Sequence, residues 1–153
     1  MTQGRFISFE GIDGSGKSTQ AKLLAKTLGD LGYDVVLTRE PGGSVGAEEI
    51  RALVLQGDPD RWSAESEILL FTAARRDHME KTILPALNAG KIVICDRFAD
   101  STRMYQGLSR GDLRNLVDEL HNLMIPQDPD LTVLIDLDPK LGLSRAKARN
   151  TVE

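Results

Sequence analysis

A single cysteine, Cys95, stands among 153 residues, so no disulfide can close within the chain. Its place at the end of the apolar run Ile92-Val93-Ile94-Cys95 marks it as a packed core thiol in a reducing compartment. Long hydrophobic runs are also missing. The longest are four or five residues, against the roughly 20 that a bilayer span requires, which excludes a membrane segment. A basic excess is absent as well: 19 Lys+Arg face 23 Asp+Glu, a formal net charge of −4, and this argues against a general nucleic-acid binder. Met1 to Arg5 passes directly into an apolar, strand-like segment without the hydrophobic region of an export signal. A cytoplasmic protein with no nucleic-acid and no membrane partner is the expectation.

What is present reads as one globular domain. The composition is 41% hydrophobic and 27% charged, and a chain of this size buries about 68–70% of its unfolded surface. Phe6 to Phe9 is short and apolar; glycines follow; then Ala21, Leu24, Ala25, Leu28 and Leu31 recur at spacings of three and four. Strand, glycine loop and helix are predicted in that order, with Gly32 supplying a left-handed helix end. Val35 to Leu37 predicts a second strand, residues 45–56 a helix, and Ser63 onward a longer one, interrupted at Pro85 and stopped by Gly90. Ile92 to Cys95 and Leu131 to Ile135 read as strands covered on both faces. Between them Asp112 is predicted to cap a helix with the apolar stripe Leu113, Leu116, Val117, Leu120, Leu123 and Met124, closed by Pro126. Four strands alternating with helices predict an α/β fold with a mostly parallel sheet, whose ligands sit beyond the carboxyl ends of the strands.

Gly11-Ile12-Asp13-Gly14-Ser15-Gly16-Lys17-Ser18 fits G-x-x-x-x-G-K-[ST], after a strand and opening a helix. Such a loop wraps inward-pointing amides around phosphate, adds the partial positive charge of a helix N-terminus, lets Lys17 reach β/γ-phosphates and offers Ser18 to Mg²⁺. The motif is shared by GTPases, motor ATPases and small-molecule kinases. A guanine-reading Asn-Lys-x-Asp is absent, because none of Asn88, Asn115, Asn122 and Asn150 is followed by Lys, and a switch GTPase is disfavoured.

Four segments in fixed order carry a resemblance: Phe9 through Thr19, Thr38-Arg39-Glu40-Pro41-Gly42-Gly43, Leu69 through Arg75, and Asp96-Arg97-Phe98 through Tyr105-Gln106-Gly107. Together they resemble the thymidylate kinase family along nearly the whole chain. The resemblance implies a P-loop kinase fold, three layers α/β/α, that moves the γ-phosphoryl of ATP onto dTMP with Mg²⁺. It implies ATP contacts from Gly11, Ile12, Asp13, Gly14, Ser15, Gly16, Lys17, Ser18 and Thr19, and a homodimer. On the acceptor side it implies Glu40, Arg51, Phe71, Arg75, Arg97, Ser101, Thr102, Tyr105 and Gln106. Phe71 would stack on thymine, Arg75 donate to a thymine carbonyl, and Arg97 clamp the dTMP phosphate. Tyr105 would fill the space of a ribose 2′-hydroxyl, and Thr102 and Gln106 would meet the base edge. Asp13 would sit between acceptor phosphate, sugar and metal, and Asp96 with Ser18 would serve Mg²⁺.

The residues alone leave bland alternatives. Phe71 and Arg75 share a helix face at a spacing of four, which a core ring and a solvated charge would also do. Arg51 reads equally well as an exposed helix arginine. Asp136, at another strand end, rivals Asp96. Ser101 is a plausible helix N-cap before Thr102, Tyr105 and Gln106.

Some family members place a catalytic arginine at the position of Gly14, and others in a lid. Here the loop has none, and the stretch Ser144 to Asn150 supplies Arg145 and Arg149 on one helix face, a pair that a solvated basic helix would also show. A lid over about residues 140–153 of a single domain is expected. The resemblance implies a further strand and helices beyond Glu153, so the chain reads as apparently truncated, with the edge of the Leu131 strand left open. A kinase for another nucleoside monophosphate, or a non-catalytic nucleotide-binding module, remains the alternative.

Overall fold

The computed structural model describes residues 3–149; the end of the lid stretch, 150–153, lies outside them. Four parallel strands form one sheet in the order β2-β3-β1-β4: β1 Arg5–Glu10, β2 Val35–Arg39, β3 Ile92–Asp96 and β4 Leu131–Leu134. Helices α1 Lys17–Asp30, α2 Val45–Leu55, α3 Ala64–His78, α4 Leu84–Asn88, α5 Ala99–Leu108, α6 Arg114–Met124 and α7 Pro139–Ala148 fill the connections. Among the described residues no helix is long and apolar enough to cross a membrane.

The two-residue period of the strands divides the core. Phe6, Val93 and Cys95 face one side, where Met79, Ile83 and Leu87 cover them. Ile7, Phe9, Ile92 and Ile94 face the other, against Ala21, Leu24, Ala25 and Leu28 of α1. β3 pairs in register with both β1 and β2, Phe9 beside Asp96 and Arg39 beside Asp96, so the P-loop strand and the Asp96 strand end side by side. Cys95 is wholly buried, burial pushes its thiol well up, and its Sγ donates to the Arg97 carbonyl at 3.0 Å, as a core thiol should.

Three expectations need correction. β4 is not covered on both faces: Leu131 and Leu134 are 56% and 68% exposed, because among the described residues it lies at the sheet edge beside β1 and Val133 is its contact with the α1-side core. The stripe of α6 is not uniformly buried. Val117 is buried and Leu113, Leu116 and Leu120 are half-buried, whereas Leu123 and Met124 are exposed, since α6 packs on α5 and α3 through part of its face only. Asp112 stands one residue ahead of the helix's N-cap, Leu113, and its carboxylate takes the Arg114 amide at 3.3 Å and the Arg114 guanidinium. The break at Pro85 is real but begins earlier. Met79–Ile83 forms a π-helical turn and α4 restarts with Pro85 in its first turn, where a missing amide leaves no intrahelical bond unmade.

Candidate functional site

The P-loop follows β1 and opens α1, as the glycine pattern predicts, with left-handed backbone at Gly14 (φ 82°) and Gly16 (φ 94°). The Ser18 hydroxyl donates to Asp96 Oδ2, and Lys17 Nζ lies 3.3 Å from Asp96 Oδ1. That Oδ1 is buried and accepts no hydrogen bond of good geometry despite the ion pair. The Ser18 hydroxyl and the Asp96 carboxylate are oxygen donors of the kind a hard divalent cation takes, and the Lys17 ammonium beside them is a competing charge, not a ligand. Asp136, the rival acid, is exposed. Ser15 Oγ, also buried without a partner, faces the same loop.

Gly14 has no room for the arginine that some family members carry there. A Cβ at Gly14 would lie 2.1 Å from the Gly142 carbonyl oxygen, and one at Gly142 would lie 2.6 Å from Ile12 Cδ1 and 2.9 Å from the Asp13 carbonyl. Helix α7 therefore rests backbone to backbone on the P-loop. It carries Arg145, and Arg149 follows at its carboxyl end; both are exposed, and neither shows a side-chain ion pair among the described residues.

Beyond the strand ends a cavity of about 180 Å³ opens, lined by Asp13, Arg39, Glu40, Pro41, Arg51, Leu55, Phe71, Arg75, Asp96, Arg97, Phe98, Ser101, Thr102, Tyr105 and Gln106. Every acceptor-side residue named from the sequence reaches it. Arg75 is not a solvated charge: it is 5% exposed, its Nε donates to Glu40 Oε1 at 2.6 Å, its Nη2 donates to Thr102 Oγ1 at 2.8 Å, and its guanidinium stands 5.1 Å from the Phe98 ring centroid. Glu40 is buried. Burial would raise its carboxyl, but the Arg75 charge and the His78 hydrogen bond outweigh this and hold it below its usual 4.5. Phe71 is half-buried at the cavity wall, and Arg51 Nη1 donates to the Pro41 carbonyl at 2.8 Å.

Arg97 leaves β3 with a left-handed backbone, φ 73°, a conformation costly for a side chain with a Cβ. The turn throws its guanidinium between the two halves of the site. Nη2 donates to Asp13 in the P-loop, Nη1 donates to Ser101 Oγ at 3.1 Å, and the Tyr105 ring lies 5.3 Å beneath. Ser101 is not the N-cap of α5. Phe98 holds that position without a side-chain bond, and the helix start is satisfied from elsewhere, by Glu10. Its carboxylate accepts the Phe98 amide at 3.1 Å, the Ser101 amide at 3.3 Å and the Ser101 hydroxyl at 2.6 Å. Burial raises the Glu10 carboxyl, with the Ser101 hydrogen bond opposing in part. Glu10, His78 and Phe98 carry no role that the sequence alone predicts. A glutamate ending an apolar strand is the one signal that pointed to the first.

Comparison with known proteins agrees with this geometry. The family model described as thymidylate kinase matches residues 9–153. The chain is 77% identical over 150 residues to a thymidylate kinase of Ruegeria pomeroyi, covering 98% of this chain and 71% of that protein. It is 68% identical over 154 residues to one of Dinoroseobacter shibae, covering 100% and 74%. The crystal structure of thymidylate kinase from Ehrlichia chaffeensis superposes with a TM-score of 0.83 at 46% identity, covering 95% of this chain and 83% of that one. The chain belongs to the thymidylate kinase family.

Proposed function

We propose that the chain phosphorylates dTMP to dTDP with ATP. The observation that carries this reading is the convergence of the P-loop and the cavity on the Asp13–Arg97 pair, which stands where a donor phosphate and an acceptor phosphate would meet. The loop from Gly11 through Thr19 holds the ATP phosphates, with Lys17 along the transferring group. On the other side thymine enters beside Phe71, and the guanidinium edge of Arg75 left over by Glu40 and Thr102 meets a carbonyl. Gln106 and Thr102 border the base, Tyr105 crowds the sugar 2′ position, and Arg51 and Arg97 draw in the acceptor phosphate. Phosphoryl transfer asks for alignment and charge neutralisation more than for covalent help. Arg97, tethered to Asp13 and Ser101, provides both at the junction, while Arg145 and Arg149 of the lid close on ATP.

Ser18 and Asp96 would hold Mg²⁺, which when bound neutralises phosphate charge. A cytoplasmic homodimer is the setting we infer, its one domain running through residues 1–153 with a lid from about 140. The exposed Leu53, Leu69 and Leu123 on α2, α3 and α6 offer apolar surface for a second copy. The test is a coupled assay of ADP release with ATP, Mg²⁺ and a panel of nucleoside monophosphates. dTMP turns over fastest in this reading; equal or faster use of UMP, CMP or GMP would point to another monophosphate kinase, and tight ATP binding without turnover to a non-catalytic module.

A further inference from the structure

Behind the cavity wall lies a buried chain of hydrogen bonds that does not itself touch the cavity at its far end. Thr38 Oγ1 is 2.7 Å from His78 Nε2, His78 Nδ1 is 2.7 Å from Glu40 Oε2, Glu40 Oε1 takes Arg75 Nε, and Arg75 Nη2 reaches Thr102. His78 has no exposed surface. Because the ionised Glu40 can only accept, Nδ1 carries a proton, and in the neutral ring Nε2 then accepts from the Thr38 hydroxyl. Each oxygen of Glu40 is thereby committed to one partner. Without His78, Oε2 would be free to turn toward the guanidinium, and the carboxylate could pair with Arg75 side-on through both oxygens, engaging another guanidinium nitrogen in place of the edge left for a ligand.

The second glycine of Pro41-Gly42-Gly43 is fitted to the same imidazole. A Cβ at Gly43 would stand 2.3 Å from His78 Nε2 and 2.5 Å from Thr38 Oγ1, so bare backbone closes over the ring, fixed in turn by the Thr82 hydroxyl donating to the Gly43 carbonyl at 2.6 Å.

We propose that His78 is a positioning residue for acceptor-base recognition: anchored by Thr38, it orients Glu40 so that Arg75 presents a fixed donor edge to a pyrimidine carbonyl. This rests on the reading of the cavity as the dTMP site. The experiment compares the intact protein with His78→Ala, His78→Asn, whose amide can replace Nδ1 as donor to Glu40, and Thr38→Val, which removes only the anchor. KM for dTMP rises about tenfold in His78→Ala, is largely restored in His78→Asn and rises about threefold in Thr38→Val, while KM for ATP stays within twofold in all. Should His78→Ala fail to fold, Thr38→Val decides. An unmoved KM for dTMP in Thr38→Val, equal shifts in both KM values, or no rescue by Asn overturns the inference. Those results leave the dTMP reading standing if the parent turns dTMP over; a parent with no dTMP-dependent turnover overturns both.

Discussion

Glu10 caps a helix that begins 89 residues later: its Oε1 accepts the Ser101 hydroxyl at 2.6 Å while Oε2 takes the amides of Phe98 and Ser101. The strand that leads into the phosphate loop thus holds the helix that bears Thr102, Tyr105 and Gln106, and the loop and the cavity share one carboxylate. Glu10→Ala leaves the buried Phe98 amide without its acceptor and takes one acceptor from Ser101, whose amide keeps the Phe98 carbonyl and whose hydroxyl keeps Arg97 Nη1; such a loss costs about 1–3 kcal/mol. Denaturant unfolding measures that, and KM for dTMP should rise as α5 loosens; a variant as stable as the parent would deny the cap its role.

Arg97 combines a strained backbone with a guanidinium at the junction, and two substitutions separate them. Arg97→Gly relieves the left-handed φ of 73° and should be more stable than Arg97→Ala by about 1 kcal/mol. Both should lose turnover by roughly 100-fold or more, the order for a removed charge-stabilising donor. Thermal unfolding and steady-state kinetics together read the two effects, and unchanged kinetics in either variant would remove the clamp.

Tyr105, 38% exposed and stacked under Arg97 at 5.3 Å, is braced rather than loose, so it can exclude by shape. Tyr105→Ala should raise the ratio of kcat/KM for ribothymidine monophosphate over dTMP. A constant ratio would show that the deoxy preference arises elsewhere.

Acid should act through Glu40. Its folded carboxyl lies below 4.5, so the ionised form favours the folded state: the stabilisation is complete above 4.5 and is lost as pH falls through the depressed folded value. Glu10 has the opposite sign, because burial raises it; its contribution declines as pH rises from 4.5 through the raised folded value. In Glu40→Gln the stability difference from the parent should therefore shrink below pH 4.5. A difference independent of pH would contradict the assignment.

The P-loop, the strands and most helices were legible because their signals are local: period-two and period-3.6 patterns, glycine turns and Ser63 at the start of α3. Asp96 and Arg97 were legible for a related reason, since a strand's last residues face its ligand edge. What escaped depends on distant contacts. Ser101 looks like a cap because serine before a helix usually is one, but the competing acceptor is Glu10, far away in sequence. His78 carries no local mark, and its role appears only when α3 is laid against Glu40 and Thr38. The exposure of β4 goes with its edge position among the described residues and that of Leu123 with the partial packing of α6, neither of which an apolar run reveals.

The central claim is that this chain moves a phosphoryl group between the P-loop and the Arg75 cavity. The direct measurement follows label from the γ-phosphoryl of ATP after incubation with dTMP and Mg²⁺, with the products separated chromatographically. Label recovered in dTDP in equal amount to the ADP formed, and abolished in Arg97→Ala, is the predicted result. Label appearing only as inorganic phosphate, or ADP formed without dTDP, would contradict it.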